Sequence, residues 1–360
     1  LTVDNRAATG LSHNSTYAGV ISGSGNLIKT GTGTLTLTGA NTYTGTTTIS
    51  NGKVTLSGSG DLSNDTAITV ENGATMNVDK SITVGSIAGA GKIIINESIN
   101  TIFKAGIDDT STAYTGVMSG NGQFYKEGSG TLTISGTHDI YNGYTVAGGV
   151  LRLGAAGVIN DMAWIDLKDT SGVSLNLNNN NEIIGTLIGG GSSGGNITLG
   201  SGNLGINQIY RLIGGGNNSE NSTYGGVISG SGSLIKTGYG TITFTGANTF
   251  TGGTTINAGG IRVDVNNALP NGRALTVANN SHFKIMNDRT QNIGQFAASS
   301  NTKIFLMFSS VLNLNLSSDS NVSATINAAG SNSGSKGKLR KTGSGTLTIS
   351  GSSNVTVENF

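Results

Sequence analysis

The sequence predicts an all-β chain wound as a β-solenoid, with short strands stacked in parallel from coil to coil, and three observations carry that prediction. The first is internal repetition. Residues 19–51 read GVISGSGNLIKTGTGTLTLTGANTYTGTTTISN, and residues 226–257 read GVISGSGSLIKTGYGTITFTGANTFTGGTTIN, almost a copy. A looser version occupies 116–146 and a shortened one 334–350. Aligned on Lys29, Lys126, Lys236 and Lys341, the copies are 97, 110 and 105 residues apart. Repetition of this kind decides the architecture before any single residue does. The second observation is composition: 360 residues hold 59 glycines, one proline and 35% apolar residues, enough to fill a core in a chain cut by tight corners. The third is alternation. Apolar residues alternate with Thr, Ser and Asn over short segments, and no run keeps a helical period for a dozen residues without glycine.

Taken in order, residues 1–14 give a short strand and an incomplete first coil. In the first full copy, Ser22-Gly23-Ser24-Gly25 leads to a segment at 27–29. Thr30-Gly31-Thr32-Gly33 then makes a corner before a strand at 34–38. Leu35 and Leu37 fall on one face of that strand and its threonines on the other. Residues 40–43 form the next corner, 46–49 the next strand, and Asn51-Gly52 a turn before 53–56. From 61 to 97 the repeat wears down, with strands legible at 67–70, 74–78, 81–84 and 92–95. The rhythm continues at 149–153, 164–167, 173–177 and 183–187, and resumes after the third copy at 274–277, 282–285, 303–308, 311–316 and 322–326.

Such in-phase segments lack the paired hairpin signals of a meander, so stacking each strand on its equivalent in the next coil buries them best. About 20 to 25 residues per coil and about 4.8 Å between strands give about 15 coils and about 70 Å. The lysine series is harder to place. Strict alternation puts Lys29 on the face of Leu27, so either the glycine corner resets the parity or the lysine leaves the core with its stem buried and its head in water. Its role is read as structural. At the matched positions Tyr17/Tyr224 and Tyr43/Phe250, core stacking is expected.

The pattern G-x-G-x-L-x-K-x-G-x-G-T-L-T-L-x-G-x-N-T-Y-x-G-x-T is clearest at 23–47. It recurs at 230–254 with Ile242, Phe244 and Phe250 substituted. It resembles the passenger-associated transport repeat of Gram-negative autotransporters. The resemblance implies a right-handed parallel β-helix, export through the inner membrane, and passage of the outer membrane by a C-terminal β-barrel. It thus implies a protein secreted or held at the outer-membrane surface, and contact with a membrane only through that barrel. The segment is expected to be part of a longer chain, with the signal peptide and the barrel lying outside it. The expected organisation is one passenger domain over 1–360, with repeat modules near 15–56, 112–154, 222–264 and 334–360.

Net charge is +1, which gives no global pull towards nucleic acid, so no nucleic-acid partner is expected. With no cysteine, disulfide and thiol chemistry are excluded. Catalysis finds little purchase. His13, His138 and His282 stand more than one hundred residues apart in the chain. Residues 190–194, GGSSG, match G-x-S-x-G without the strand-turn-helix setting that a nucleophile elbow needs. Asp108 and Asp109, the adjacent carboxylates, would point to opposite faces of a strand and are read as a loop pair. Gly91-Lys92 lacks the rest of a phosphate loop. No enzyme, cofactor or metal site is therefore expected.

The local charge feature is Lys336, Lys338, Arg340 and Lys341, a candidate binding patch for sulfated glycans or an acidic protein surface. The function expected is surface presentation: an adhesin or virulence factor that binds host cells through a host cell-surface protein or a sulfated glycan, with self-association as a further contact. A released ligand of a host receptor is the first alternative and a β-helical polysaccharide-active enzyme the second. Function is expected where the repeat has been altered, in the loops that depart most from it, around 101–113, 178–182 and 287–301.

Overall fold

Glycine corners every few residues leave no room for helices, and among its described residues the computed structural model contains strands and turns but no helix. The described residues are 1–6, 13–96, 100–208, 221–278, 280–330 and 335–359. Among them no helix is long and apolar enough to cross a membrane. The start of the shortened repeat at 334 falls outside them. Two compact units are present, Leu1–Asn176 and Leu177–Phe360.

In the first unit one parallel sheet begins Thr2–Asp4, Leu27–Thr30, Thr47–Ile49, Ala67–Val70, each strand paired to the next coil. A second runs Ser15–Tyr17, Thr34–Leu37, Lys53–Leu56, Thr75–Val78. Register is kept residue for residue. Leu35 sits over Val54 and Met76, and Leu37 over Leu56 and Val78, all of them buried. Like side chains therefore stack at the strand spacing of about 4.8 Å, and the apolar set cannot slip without turning to solvent. This is the predicted solenoid.

The second unit repeats the scheme. Ser222–Tyr224, Thr241–Phe244, Gly259–Val263, Ser281–Ile285, Lys303–Leu306 and Thr325–Ala328 form one parallel sheet. Its inner ladder is Tyr224, Phe244, Val263, Ile285, Leu306 and Ala328. The other long sheet includes Arg273–Val277, Thr290–Ala298, Val311–Asn315 and Lys338–Thr342, with a bulge between Arg273 and Ala274. The stretch 287–301, expected as a variant loop, contains the nine-residue strand Thr290–Ala298. Ile293 and Phe296 face the core there, so that stretch belongs to the scaffold.

The asparagines explain how the corners close. Asn14, Asn26 and Asn221 each accept, through Oδ1, the backbone N–H of the residue twenty positions on, at 2.8–2.9 Å. A corner N–H that no strand can pair is thus satisfied by the coil beneath it. The 178–182 stretch works likewise. Asn178 and Asn179 take left-handed backbone, and Asn179 and Asn181 accept the N–H groups of Ser201 and Asn203.

Candidate functional site

The repeat's most constant chemical group is its lysine, and its place corrects the expectation. In Leu27–Thr30 alternation simply continues: Leu27 and Lys29 both face inward. Lys29, Lys126 and Lys236 are fully buried, at 0%, 1% and 0% exposure, so their heads are not in water. Each Nζ donates to three main-chain carbonyls. For Lys29 these are Thr30 at 2.6 Å, Gly31 at 2.8 Å and Asn51 at 3.2 Å. For Lys126 they are Glu127 at 2.5 Å, Gly128 at 2.9 Å and Gly148 at 3.1 Å. Lys236 meets Thr237, Gly238 at 3.0 Å and Ala258 at 3.4 Å.

The geometry is the same each time: two carbonyls of its own corner and one from the next coil. The middle acceptor is always a glycine with positive φ, at +71°, +67° and +69°. Three acceptors match the three N–H donors of an ammonium. Burial lowers the lysine pKa, to about 8 for Lys126 and about 7 for Lys236, and the carbonyl cage opposes that shift by holding the protons. Lys341 differs. It is half-buried and meets a single carbonyl, that of Gly343 at 2.8 Å.

Two further repeat positions do similar work. Twelve residues before the lysine, Tyr114 and Tyr224 are buried and donate to the carbonyls of Gly91 and Gly195 at 2.8 and 2.7 Å. Their hydroxyls are pushed up by burial. Tyr17, at the matched position, is 45% exposed and not a core residue; the stacking expected of it is absent. Tyr43 and Phe250 are buried as expected. Twelve residues after the lysine, Asn41 and Asn248 are buried. Each accepts an N–H through Oδ1 and donates Nδ2 to the carbonyls of Asp61 and Ala268. The second copy has His138 here. Its Nδ1 accepts Met118 N–H at 3.0 Å, but its buried Nε2 has no partner. Burial drops its pKa to about 4.

The sequence-predicted binding run is spread over both faces of its strand. Lys338 and Arg340 face outward from Lys338–Thr342 and both engage Glu358, at 3.0 and 2.6 Å. Lys336 precedes the strand. Asp108 and Asp109 cap backbone, accepting the N–H groups of Thr110 and Ser129. Residues 190–194 close a turn in which Gly191 donates to Gly194.

A denser basic cluster comes from residues far apart in sequence. On the outer face of the second unit's sheet, Arg262 stands beside Lys284 and Lys284 beside Phe305 on successive rungs. In the next column His282 stands beside Lys303. The imidazole lies over Gly260, where a Cβ would come within 2.1 Å of Nε2. Nε2 is 3.1 Å from Thr241 Oγ1, and the ring meets Phe305 edge-on at 6.4 Å. Burial, then Lys236, Lys284 and Lys303, hold His282 below its ordinary pKa. Asp264 pairs with Arg262 at 3.4 Å and with Arg289 at 3.6 Å. Among the described residues Lys284 and Lys303 have no ion-pair partner.

Comparison with known proteins gives the setting. The family described as Passenger-associated-transport-repeat matches residues 27–56, 124–153, 234–263 and 339–356. Over 188 residues, 52% of this chain, the sequence is 29% identical to the "Adhesin BmaC autotransporter" of Brucella suis biovar 1 (strain 1330). The match spans 5% of that relative's length. No solved structure matches the chain.

Proposed function

We propose, from the premise that the chain is an autotransporter passenger domain placed at the outer-membrane surface or secreted, that it is a non-enzymatic adhesin that attaches the bacterium to host cells. The observation that carries this reading is the similarity to an autotransporter adhesin across half the chain. The structure supports it physically. The core is filled by stacked side chains, and the repeat's polar groups are consumed in holding coils together. What remains for recognition is the outer surface, displayed on a rigid scaffold.

The test is attachment. A non-adherent bacterium displaying the full-length protein should bind cultured host cells, and one displaying it without 177–360 should bind fewer. Turnover of a polysaccharide by the purified passenger, or receptor activation by soluble protein with no attachment by displayed protein, would contradict the adhesin reading.

A further inference from the structure

We infer that the outer face formed by Arg262, Lys284, Lys303 and His282 with Phe305 is a binding site for a sulfated polysaccharide, an inference that names the ligand class for the adhesin reading and rests on it only for biological setting. Arg262 and Lys284 are in-register neighbours on adjacent strands, about 4.8 Å apart along the stack. Lys303 follows on the next rung, one column over. Like charges placed opposite each other on neighbouring strands destabilise a sheet. Elsewhere the outward columns avoid this: Thr36 faces Thr55, and Thr48 faces Thr69. The cost is incurred here, where Lys284 follows Arg262 on the rung after the third repeat. Thr223 and Thr243 come first in the same column, and Arg262, Lys284 and Phe305 follow them.

The nearby counter-charge is too small. Four cations, Arg262, Lys284, Arg289 and Lys303, share two nearby acids in the sequence, Asp264 and Asp288, and the ion pairs reach Arg262 and Arg289 alone. The two ammonium groups without an ion pair, those of Lys284 and Lys303, call for an external acceptor bearing several negative charges. The face is a flat sheet with cations repeating along the stack, which suits a linear polymer laid along the coils better than a single small anion in a pocket. Phe305 and the edge-on His282 give one apolar step on which a sugar face can rest. Nucleic acid fits less well: the aromatic pair is edge-to-face and leaves no row of open rings for successive bases, and the net charge of the chain is +1.

The contrast with the 336–341 run makes the inference testable. There Glu358 already occupies Lys338 and Arg340, so that run should contribute little. The protein should bind heparin, with desulfated heparin and a short DNA duplex as comparison probes at the same salt. Lys284→Glu with Lys303→Glu, both outward-facing, should weaken heparin binding by about tenfold or more while the circular dichroism spectrum and melting profile stay those of the parent. Lys336→Ala, Lys338→Ala, Arg340→Ala and Lys341→Ala together should change it by less than about threefold. The inference is overturned if the Lys284/Lys303 variant binds heparin as the parent does, or if desulfated heparin or DNA binds as tightly as heparin. Attachment to cells stripped of sulfated glycans separates the two readings. Undiminished attachment leaves the adhesin standing and removes this site from it. Heparin binding without cell attachment does the reverse.

Discussion

A lysine in the middle of a β-solenoid core is costly unless every proton it carries is bound, and here the glycine corner supplies the acceptors. Replacing Lys126 by Met should keep the stem's packing and leave the carbonyls of Glu127, Gly128 and Gly148 without their donor. A loss of about 3 kcal/mol in urea unfolding is expected. Lys341→Met, which removes a single half-exposed contact, should cost no more than about 0.5 kcal/mol. His138 makes the opposite prediction. It stands where other copies have a doubly bonded asparagine, so His138→Asn should stabilise the protein by about 1 kcal/mol at neutral pH. The pH dependence follows from its folded pKa of about 4 against an unfolded value of about 6.5. The unfolded chain takes up the proton first, so stability contributed by keeping this ring neutral falls as pH drops from about 6.5 to about 4 and levels off below. In His138→Asn that slope should vanish, which chemical denaturation at pH 7 and pH 4.5 would measure. The burial of Lys29 was legible in the parity of L-I-K but was outweighed by the general rule that ammonium heads reach water. The glycine two residues on supplies an acceptor but does not by itself mark burial, since half-buried Lys341 has Gly343 at the same offset.

At the scale of the strand and its corner, alternation was sufficient to place most strands and their inner faces. Leu35 over Val54 over Met76 is the direct outcome of stacking in-phase segments. What alternation missed was the corner chemistry. Glycines turn the chain, but the asparagines decide where the next coil sits, because each pairs with an N–H one coil on. Asn221→Ala should therefore orphan the Thr241 N–H and cost about 1 kcal/mol, with hydrogen exchange accelerated at Thr241 and little changed in the first unit. Gly128→Ala should be worse. It combines a positive φ with a Cβ placed 1.8 Å from the Gly106 carbonyl oxygen, so a loss exceeding about 2 kcal/mol in urea unfolding is expected. The 287–301 stretch was misjudged because its polar residues hide the inward Ile293 and Phe296, and because the bulge at Arg273/Ala274 shifts its pairing.

For the molecule as a whole, net charge near zero concealed a local concentration of charge. The run at 336–341 is conspicuous in sequence because its residues are adjacent, yet the fold delivers Glu358 to it. Arg262, Lys284 and Lys303 are inconspicuous because about one coil separates them, and coil length is what brings them together. On the proposed reading the repeat builds, and the rungs beyond it, with Lys284 and Lys303, carry recognition. The most direct measurement is attachment of bacteria displaying the full-length protein to host cells, with two pairs of new carboxylates compared at equal display. Lys284→Glu with Lys303→Glu should reduce attachment by about tenfold. Thr36→Glu with Thr133→Glu, on outward faces of the repeat itself, should leave it unchanged. Loss of attachment from the threonine pair with none from the lysine pair would contradict the account.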